Sequence, residues 1–356
     1  MSNKKLWSDH NNMKSLMENW RGFIAEEEPP AEEAEQDETA SEDVPESNQA
    51  AAGVSAEQLM GMNLASFIQQ AQSSDGQKAI LSGLEDGSDP DDQFEIVPTA
   101  IPVKNLRPTQ SEVVLSKSIP FNLFNKPKHF LEYRSSNGPF AVGPPGNDAI
   151  ITFNGEYVID GHHRWSSLYC VNPNSSIQAF DIRKPGEEAQ DVLKAVQAAI
   201  LSKKGSIPSN KGGGINLFTI EAETFKKWLV QSFKKHPKAM EFFAKAIESG
   251  ALNEKRGNAI HGPTKGAKKA RRNVISKLYN ILWSNIESLK ENNKPITGAT
   301  ERPMMPQADK VGKIGHSSGI PAALEPLQKG VINTEKPFSK VAAESRKRKV
   351  KVKRIK

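Results

Sequence analysis

The chain has 356 residues, of which 37% are hydrophobic, and it contains 25 glycines and 23 prolines. Since a chain of this composition cannot bury most of its length, we expect large parts of it to lie outside any core. No apolar run is long enough to span a membrane, the N-terminus is polar, and the single cysteine excludes an internal disulfide framework. These features predict a cytoplasmic protein that does not contact a membrane.

The net charge of +6 hides two parts of opposite sign. Residues 1–200 hold 15 Lys and Arg against 30 Asp and Glu, and residues 201–356 hold 33 against 12, which gives charges of −15 and +21. A strongly basic part favours contact with a polyanion. We therefore predict that nucleic acid, either DNA or RNA, is the partner of the C-terminal part.

The N-terminal 94 residues predict two helical segments and two acidic linkers. An amphipathic helix is expected within residues 1–25, where one face carries Met13, Leu16, Met17, Trp20, Phe23 and Ile24. Residues 26–50 predict a disordered acidic linker, because 11 acidic residues and no Lys or Arg lie between Glu26 and Glu46. Residues 51–94 predict a helix from Ala56 to Gln72 and a second acidic linker.

An amphipathic helix on an acidic linker is typical of a segment that docks onto another protein. We predict such a partner for residues 7–24, and the alternative is that this helix packs on its own domain. The pattern from Met13 to Phe23 resembles N-terminal segments of some tailed-phage proteins. If the chain is phage-encoded, its location is the host cytoplasm or the virion.

Residues 95–203 alternate strand and helix patterns, which predicts an α+β domain. The predicted strands are 96–103, 157–159 and 176–182, and the predicted helices end near 118, span 163–171 and span 187–203. Pro98 and Pro102 interrupt the first strand. Cys170 lies among apolar residues of the second helix, which favours a buried structural thiol over a reactive one.

The stretch from Tyr157 to Trp165 is the strongest candidate for a functional site. It predicts a strand, a tight turn and a helix, and the residues at the turn are Asp160, Gly161, His162, His163 and Arg164. A glycine lets the backbone approach a ligand, and the first N–H groups of a helix attract anions. Arg164 adds a planar, permanently charged fork for phosphate oxygens. We predict that the four residues from Gly161 to Arg164 bind a phosphate group.

Three residues are candidate catalytic groups. Asp160 could accept a proton from a nucleophile or hold Mg²⁺, and the alternative is that it only caps the turn. Glu112 is a second candidate base, or else a solvated glutamate in the first turn of a helix. His162 is the third. Because His162 and His163 are adjacent, their side chains point about 100° apart on a helix, so we expect no zinc site; the identity of any other metal stays open.

The order of these elements resembles the ParB/sulfiredoxin-like superfamily over residues 95–185. Two motifs carry the resemblance: Pro108-Thr109-Gln110, and Asp160-Gly161-His162-His163-Arg164 at the turn. They are similar to the branch called ParB-like nuclease. The resemblance implies an α+β ParB/sulfiredoxin-like domain that holds a nucleotide at the turn, with Thr109 and Gln110 among the binding residues.

Relatives within this superfamily imply different ligands. Partition ParB proteins carry Gly-Glu-Arg-Arg at the turn and hold CTP there, so Gly161 and Arg164 match. Sulfiredoxins carry Gly-Cys-His-Arg, and here His162 stands at the position of the nucleophilic cysteine. The free serine kinase carries Asp-Gly-His-Thr-Arg, so Asp160, Gly161, His162 and Arg164 all match. The implied cofactors are CTP, ATP or ADP, together with Mg²⁺.

The C-terminal part predicts a linker at 204–214, a helical basic region at 215–290, and a flexible region with a basic tail at 291–356. Pro237 is expected to break or kink the first long helix of the helical region. We find no convincing helix-turn-helix pattern. The residues predicted to bind nucleic acid are Lys268, Lys269, Arg271, Arg272, Arg346, Lys347, Arg348, Lys349, Lys351, Lys353 and Arg354.

These features favour a ParB-like protein that binds a nucleotide or phosphate group at the Asp160–Arg164 turn and nucleic acid through its basic C-terminal half. Nuclease and nucleotide-hydrolysing activity are the enzymatic hypotheses. Two alternatives stay open: a non-enzymatic DNA-associated or phage virion protein, and a small-molecule kinase similar to the free serine kinase. The pattern does not predict an oligomeric state.

Overall fold

The computed structural model describes residues 54–85, 92–143, 149–209, 211–252, 267–313 and 319–334. All of these residues belong to one compact unit of the chain. The fold is α+β, as predicted, with a mixed five-stranded sheet. The amphipathic helix predicted at 1–25, the acidic linker predicted at 26–50 and the basic tail from Arg346 lie outside the described residues.

The sheet contains strands of very different length. In chain order they are β1 (Glu95–Pro102), β2 (Arg107–Pro108), β3 (Ile150–Phe153), β4 (Tyr157–Asp160) and β5 (Ser176–Arg183). Their order across the sheet is β1-β5-β3-β4-β2. The β1–β5 and β3–β4 pairs are antiparallel, and the β3–β5 and β2–β4 pairs are parallel. Since β1 is an edge strand, its two prolines remove no hydrogen bond from a central ladder.

Helices cover both faces of this sheet. Neighbouring strand residues point to opposite faces, and here both faces are buried: Ile150 and Val158 join one hydrophobic core, while Ile151 and Ile159 join the other. Such burial on both sides explains why β3 and β4 carry continuous apolar runs rather than an alternation of apolar and polar residues.

Eleven helices surround the sheet in the described part of the chain. They are α1 (Ala56–Gly61), α2 (Leu64–Ala71), α3 (Ser74–Ile80), α4 (Leu115–Pro120), α5 (Pro127–Ser135), α6 (His162–Val171), α7 (Ala189–Lys204), α8 (Ala222–Lys235), α9 (Pro237–Glu248), α10 (Ala267–Asn292) and α11 (Gly319–Lys329). Helices α4–α6 and α8–α10 share the first core, and α1–α3, α7 and α11 share the second. The predicted helical basic region therefore packs into the same core as the predicted ParB-like region.

Two helix predictions need correction, and one is confirmed. The single helix expected from Ala56 to Gln72 is two helices, because Asn63 adopts an extended backbone and its side chain accepts a hydrogen bond from the Ser66 N–H at 2.9 Å, which starts α2. The helix expected to follow the Pro-Thr-Gln motif directly begins only at Leu115. Pro237 ends one helix and occupies the first turn of the next, as predicted.

Residues 293–313 form a segment that we call the C-terminal strap. The strap runs beside the β2 edge of the sheet: Ile296 donates its N–H to the Pro108 carbonyl at 3.1 Å, Thr300 donates to Thr109 at 2.8 Å, and Ser111 donates to Thr300 at 2.9 Å. It contains two short 3₁₀ helices, Arg302–Met304 and Ala308–Lys313. The expectation of a flexible region from residue 291 therefore does not hold for the described residues 291–313 and 319–334.

The strap also forms hydrogen bonds with α7 and with the loop that follows α7. The Gln197 side chain donates to the Met304 carbonyl at 2.6 Å, and the Gln307 side chain donates to the Pro208 carbonyl at 3.0 Å. Met305 is buried. The strap is thus fixed at both ends over the carboxyl end of β4, where the candidate site lies.

Candidate functional site

The β4–α6 turn depends on Gly161. This residue adopts φ +94° and ψ 25°, a left-handed conformation that glycine adopts without strain. A Cβ atom at this position would lie 2.5 Å from Ile150 Cγ2 and 3.1 Å from Arg164 Nε. The glycine therefore lets the chain turn against β3, and α6 begins directly after it at His162.

A pocket of about 320 Å³ lies between this turn and the C-terminal strap. The turn contributes Asp160, Gly161, His162, His163 and Arg164, and Gln110 lines the pocket beside them. The strap contributes Arg302, Gln307, Asp309 and Lys310 among others. The structure thus brings together the five turn residues that the sequence predicts, and adds a second wall from a segment for which we had predicted no site residue.

Asp160 connects the turn to the strap. Its Oδ2 atom accepts a hydrogen bond from the Ala308 N–H at 3.0 Å. The pKa of Asp160 is raised to about 6: burial of the carboxyl is the main cause, Asp309 adds to the rise, and Arg164 together with the N–H groups of Ala308 and Gly161 opposes it. A carboxyl with this pKa exchanges its proton near neutral pH, which is the property that a general base needs.

His162 is a buried, neutral histidine in the wall of the pocket. Its Nε2 atom lies 3.4 Å from the Thr109 hydroxyl, and that hydroxyl donates its proton to the Val158 carbonyl at 2.7 Å. Burial, with a smaller effect from His163, lowers the pKa of His162 to about 3. Thr109, itself fully buried, therefore lies behind the turn and supports His162 without lining the pocket.

His163 ties the turn to the segment before α4. Its Nε2 atom accepts a hydrogen bond from the Val114 N–H at 3.2 Å, so the ring carries its proton on Nδ1. The pKa of His163 is lowered to about 3. Burial is the main cause, and the charges of Arg302, Lys117 and Arg164 contribute to the decrease. The two histidines have different partners, and within the described ranges no three His, Cys, Asp or Glu side chains are grouped to hold a metal ion.

The histidines predict how stability changes with pH. Their pKa values near 3 in the folded protein lie below the unfolded value of 6.5, so the unfolded chain binds more protons between these limits and stability falls as the pH drops from 6.5 towards 3. His163→Gln keeps an acceptor for Val114 and removes the titrating ring. When the pH falls from 7 to 5, its free energy of unfolding should rise by about 2 kcal/mol relative to that of the wild type. Urea unfolding at both pH values measures this, with the exposed His236→Gln as control; a pH-independent difference for His163→Gln would contradict it.

Arg302 is a buried cation that faces the pocket. It is 8% exposed, and its Nη1 atom donates to the Lys211 carbonyl at 2.8 Å. Burial lowers its pKa, and the field of Glu112 opposes this effect. Among the described residues no carboxylate forms an ion pair with Arg302. A buried charge in this state is costly unless an anion compensates it.

Arg164 lies at the opposite wall of the pocket from Arg302, on the turn itself. Its Nη1 atom donates to the Ala149 carbonyl at 2.9 Å, which fixes the guanidinium beside the N-terminus of α6. Lys310, an exposed residue of the strap, is the third cation that lines the pocket. The sequence did not predict Arg302 or Lys310, although the apolar pair Met304-Met305 in an otherwise polar stretch was a signal that this segment packs.

Glu112 and Gln110 have different positions relative to the pocket. The Glu112 carboxylate accepts a hydrogen bond from the Gly213 N–H at 3.1 Å and is not among the lining residues, so the structure does not bring this candidate base into the pocket. Gln110 lines the pocket, and its side-chain amide donates to the Glu112 carbonyl. Cys170 is fully buried, as predicted, and burial raises the pKa of its thiol.

The residues predicted to bind nucleic acid are only partly described. Arg271 and Arg272 are exposed on α10. The side chains of Lys268 and Lys269, and the tail residues Arg346, Lys347, Arg348, Lys349, Lys351, Lys353 and Arg354, lie outside the described part. In the ranges that are described, no helix has both the length and the apolar character needed to span a membrane. Comparison of the chain with protein-family models, curated proteins and solved structures gave no match.

Proposed function

We propose that the pocket binds a nucleotide through its phosphate groups. The observation that carries this proposal is Arg302, a buried guanidinium with no carboxylate partner in the described residues, which lines the same pocket as Arg164. A phosphate group would compensate the buried charge, and its oxygens match the planar fork of a guanidinium. CTP, ATP and ADP are the candidate nucleotides.

The first turn of α6 supports the same ligand class. Its N-terminal residues His162 and His163 line the pocket, so the positive end of the helix dipole lies at the pocket wall. Gly161 lets the turn approach Ile150 of β3, which places the start of α6 at the pocket. The helix has ten residues, which is long enough for its dipole to contribute at this end. Phosphate would thus meet two arginines from different segments and the N-terminus of one helix.

The pocket also contains the groups for magnesium-assisted phosphate chemistry. Asp160 and Asp309 both line it, and Mg²⁺ in nucleotide sites is commonly held by one or two carboxylates together with phosphate oxygens. In a hydrolytic reaction, Asp160 would accept a proton from the attacking water while Arg164 and Arg302 stabilise the charge on the phosphate. This is how nuclease or nucleotide-hydrolysing activity would use the pocket.

The ParB/sulfiredoxin-like assignment is part of the proposal. It is supported by the order of β1, the Thr109–Gln110 segment, β4, α6 and β5, with the pocket at the β4–α6 turn. The proposed nucleic-acid role of the basic C-terminal half is supported by the exposed Arg271 and Arg272. A non-enzymatic DNA-associated protein is the second candidate, favoured by the bond of Asp160 to Ala308, which gives this carboxylate a structural role. Mg²⁺-dependent turnover that Asp160→Asn abolishes would exclude this second candidate.

Isothermal titration with CTP, ATP and ADP, each with and without Mg²⁺, tests the proposed nucleotide site. We expect one nucleotide to bind, and we expect Arg302→Gln and Arg164→Gln each to lower its affinity by roughly tenfold to a hundredfold, because a hydrogen bond to a charged group is worth about 1.5–3 kcal/mol. Arg302→Lys should retain part of the affinity because it keeps the charge but loses the fork.

The matched control is Arg107→Gln, which removes an exposed arginine of β2 that does not line the pocket. Its affinity for the nucleotide should equal that of the wild type. If no nucleotide binds, or if the Arg302 and Arg164 variants bind as tightly as the control, the proposed nucleotide site is wrong.

A further inference from the structure

Helices α8 and α10 carry a group of aromatic rings that is not part of the pocket. Trp228 on α8 and Tyr279 and Trp283 on α10 are each only partly buried, and we call these three residues the aromatic platform. The fully buried Phe225 lies among them: its ring centroid is 5.9 Å from those of Trp228 and Tyr279 and 5.8 Å from that of Trp283. The three rings of the platform therefore pack on a side chain of the protein core.

Two rings of the platform, Tyr279 and Trp283, are close to parallel. The Tyr279 and Trp283 rings differ in orientation by only 5°, with centroids 6.2 Å apart. The Phe225 ring makes angles of 20° with Trp228 and 28° with Trp283. Aromatic rings that are partly open to solvent are groups on which nucleic-acid bases stack.

Lysines accompany the platform. The Lys290 ammonium lies 5.0 Å from the Trp283 ring centroid, and the Lys226 ammonium lies 5.9 Å from that of Tyr279. Helix α8 contains four Lys and one Glu, and α10 contains six Lys and Arg and two Glu, so the two helices carry charges of +3 and +4. The two helices that carry the platform are therefore net basic by sequence, which is complementary to a phosphate backbone.

The charges of two carboxylates act on Tyr279. Burial raises the pKa of the Tyr279 hydroxyl, and the charges of Glu223 and Glu287 raise it further. The Lys290 ammonium lies closer to the Trp283 ring than the Lys226 ammonium lies to the Tyr279 ring. Trp283 is therefore the residue to test.

We propose that the aromatic platform binds single-stranded nucleic acid, with bases stacked on Trp283 and its neighbouring rings and with Lys226 and Lys290 beside the phosphates. This inference extends the proposed nucleic-acid role of the C-terminal half, and it names the strand state and the residues. Bases of a duplex are already stacked on each other and cannot reach the rings. A preference for single strands that depends on Trp283 is therefore the signature of the platform.

The test uses the full chain, a fluorescein-labelled oligothymidylate of about 20 nucleotides, and a labelled duplex of mixed sequence. Trp283→Leu keeps an apolar side chain but removes the π surface, so we expect it to weaken oligothymidylate binding by tenfold or more, since stacking on one aromatic ring changes affinity by roughly 5- to 150-fold. Duplex affinity should change less than about twofold. Trp283→Phe is the matched control and should bind oligothymidylate nearly as well as the wild type.

A second readout keeps the inference testable if Trp283→Leu does not fold. Binding of oligothymidylate should quench tryptophan fluorescence in the wild type, and Trp283→Phe should show a smaller quench at similar affinity. If Trp283→Leu folds and binds both ligands as the wild type does, or loses both equally, the platform is not the binding surface. If neither ligand binds the wild type, the proposed nucleic-acid role itself fails. Displacement of oligothymidylate by polyglutamate at equal charge would instead indicate an acidic peptide as the occupant and would overturn the proposal.

Discussion

Gly161→Ala is expected to lower the free energy of unfolding by about 2 to 5 kcal/mol, the sum of backbone strain and overpacking. The new Cβ would have to occupy a left-handed conformation at φ +94° and would lie 2.5 Å from Ile150 Cγ2 and 2.9 Å from Ile150 Cβ. Ile150 belongs to the central strand β3 and is fully buried, so its displacement would disturb the packing of the core. Urea unfolding followed by circular dichroism measures the loss.

Gly155→Ala separates the two causes of this loss. Gly155 also has a positive φ, +68°, but a Cβ there meets nothing within 4 Å. Gly155→Ala should therefore lower the free energy of unfolding only by the backbone strain, about 1 to 2 kcal/mol. Equal losses for the two alanine variants would show that the approach of the turn to Ile150 is not tight, and would remove the reason why this position requires glycine.

Trp165→Ala is expected to cost about 3 to 5 kcal/mol, the usual range for loss of a fully buried tryptophan. Trp165 is 0% exposed, its Nε1 atom donates to the Val103 carbonyl at 2.9 Å, and its ring centroid lies 5.9 Å from that of Tyr169. The residue lies one turn into α6, so its loss leaves a cavity under the helix that forms the pocket wall. Denaturant unfolding by circular dichroism measures the change in stability.

Trp165→Phe is the control for the packing part of this effect. Phenylalanine keeps most of the buried ring but cannot donate to Val103, whose carbonyl still accepts from the Leu106 N–H at 3.3 Å. We expect the free energy of unfolding to fall by about 1 to 2 kcal/mol, which is less than the loss in the alanine variant. A loss as large as that of Trp165→Ala would mean that the indole hydrogen bond, and not packing, holds α6 in place.

Elements with strong local signals could be predicted from the sequence. The strand, the turn and the helix around Gly161 were predicted because a β-branched run, a glycine and a helical spacing of apolar residues follow each other. The strand at 176–182 and the helix at 187–203 agree with β5 and α7 to within two residues at each end. Pro237 marked the boundary of α8 and α9 because proline cannot continue a helix without losing a hydrogen bond.

Elements defined by partners far along the chain could not be predicted in this way. Strand β3 has only four residues and no alternating pattern, because both of its faces are buried. The strap has a polar, proline-containing sequence that matches neither helix nor strand, and it is ordered by bonds to Pro108, Thr109 and Gln197. Its contribution to the pocket, Arg302 above all, was missed for the same reason. The sequence indicated one wall of the site, and the other wall depends on tertiary contacts.

The strap is also the last part of the pocket to be synthesised. Thr300 pairs with Ser111, which lies 189 residues earlier in the chain. All residues of the β4–α6 turn leave the ribosome long before Arg302 does. Until the strap is synthesised, the β2 edge of the sheet is therefore uncovered and the pocket has only one wall. An exposed strand edge can pair with a wrong segment, and incompletely folded chains of this kind are prone to aggregation. Both walls of the pocket, and with them the proposed nucleotide site, are complete only after translation has passed residue 310.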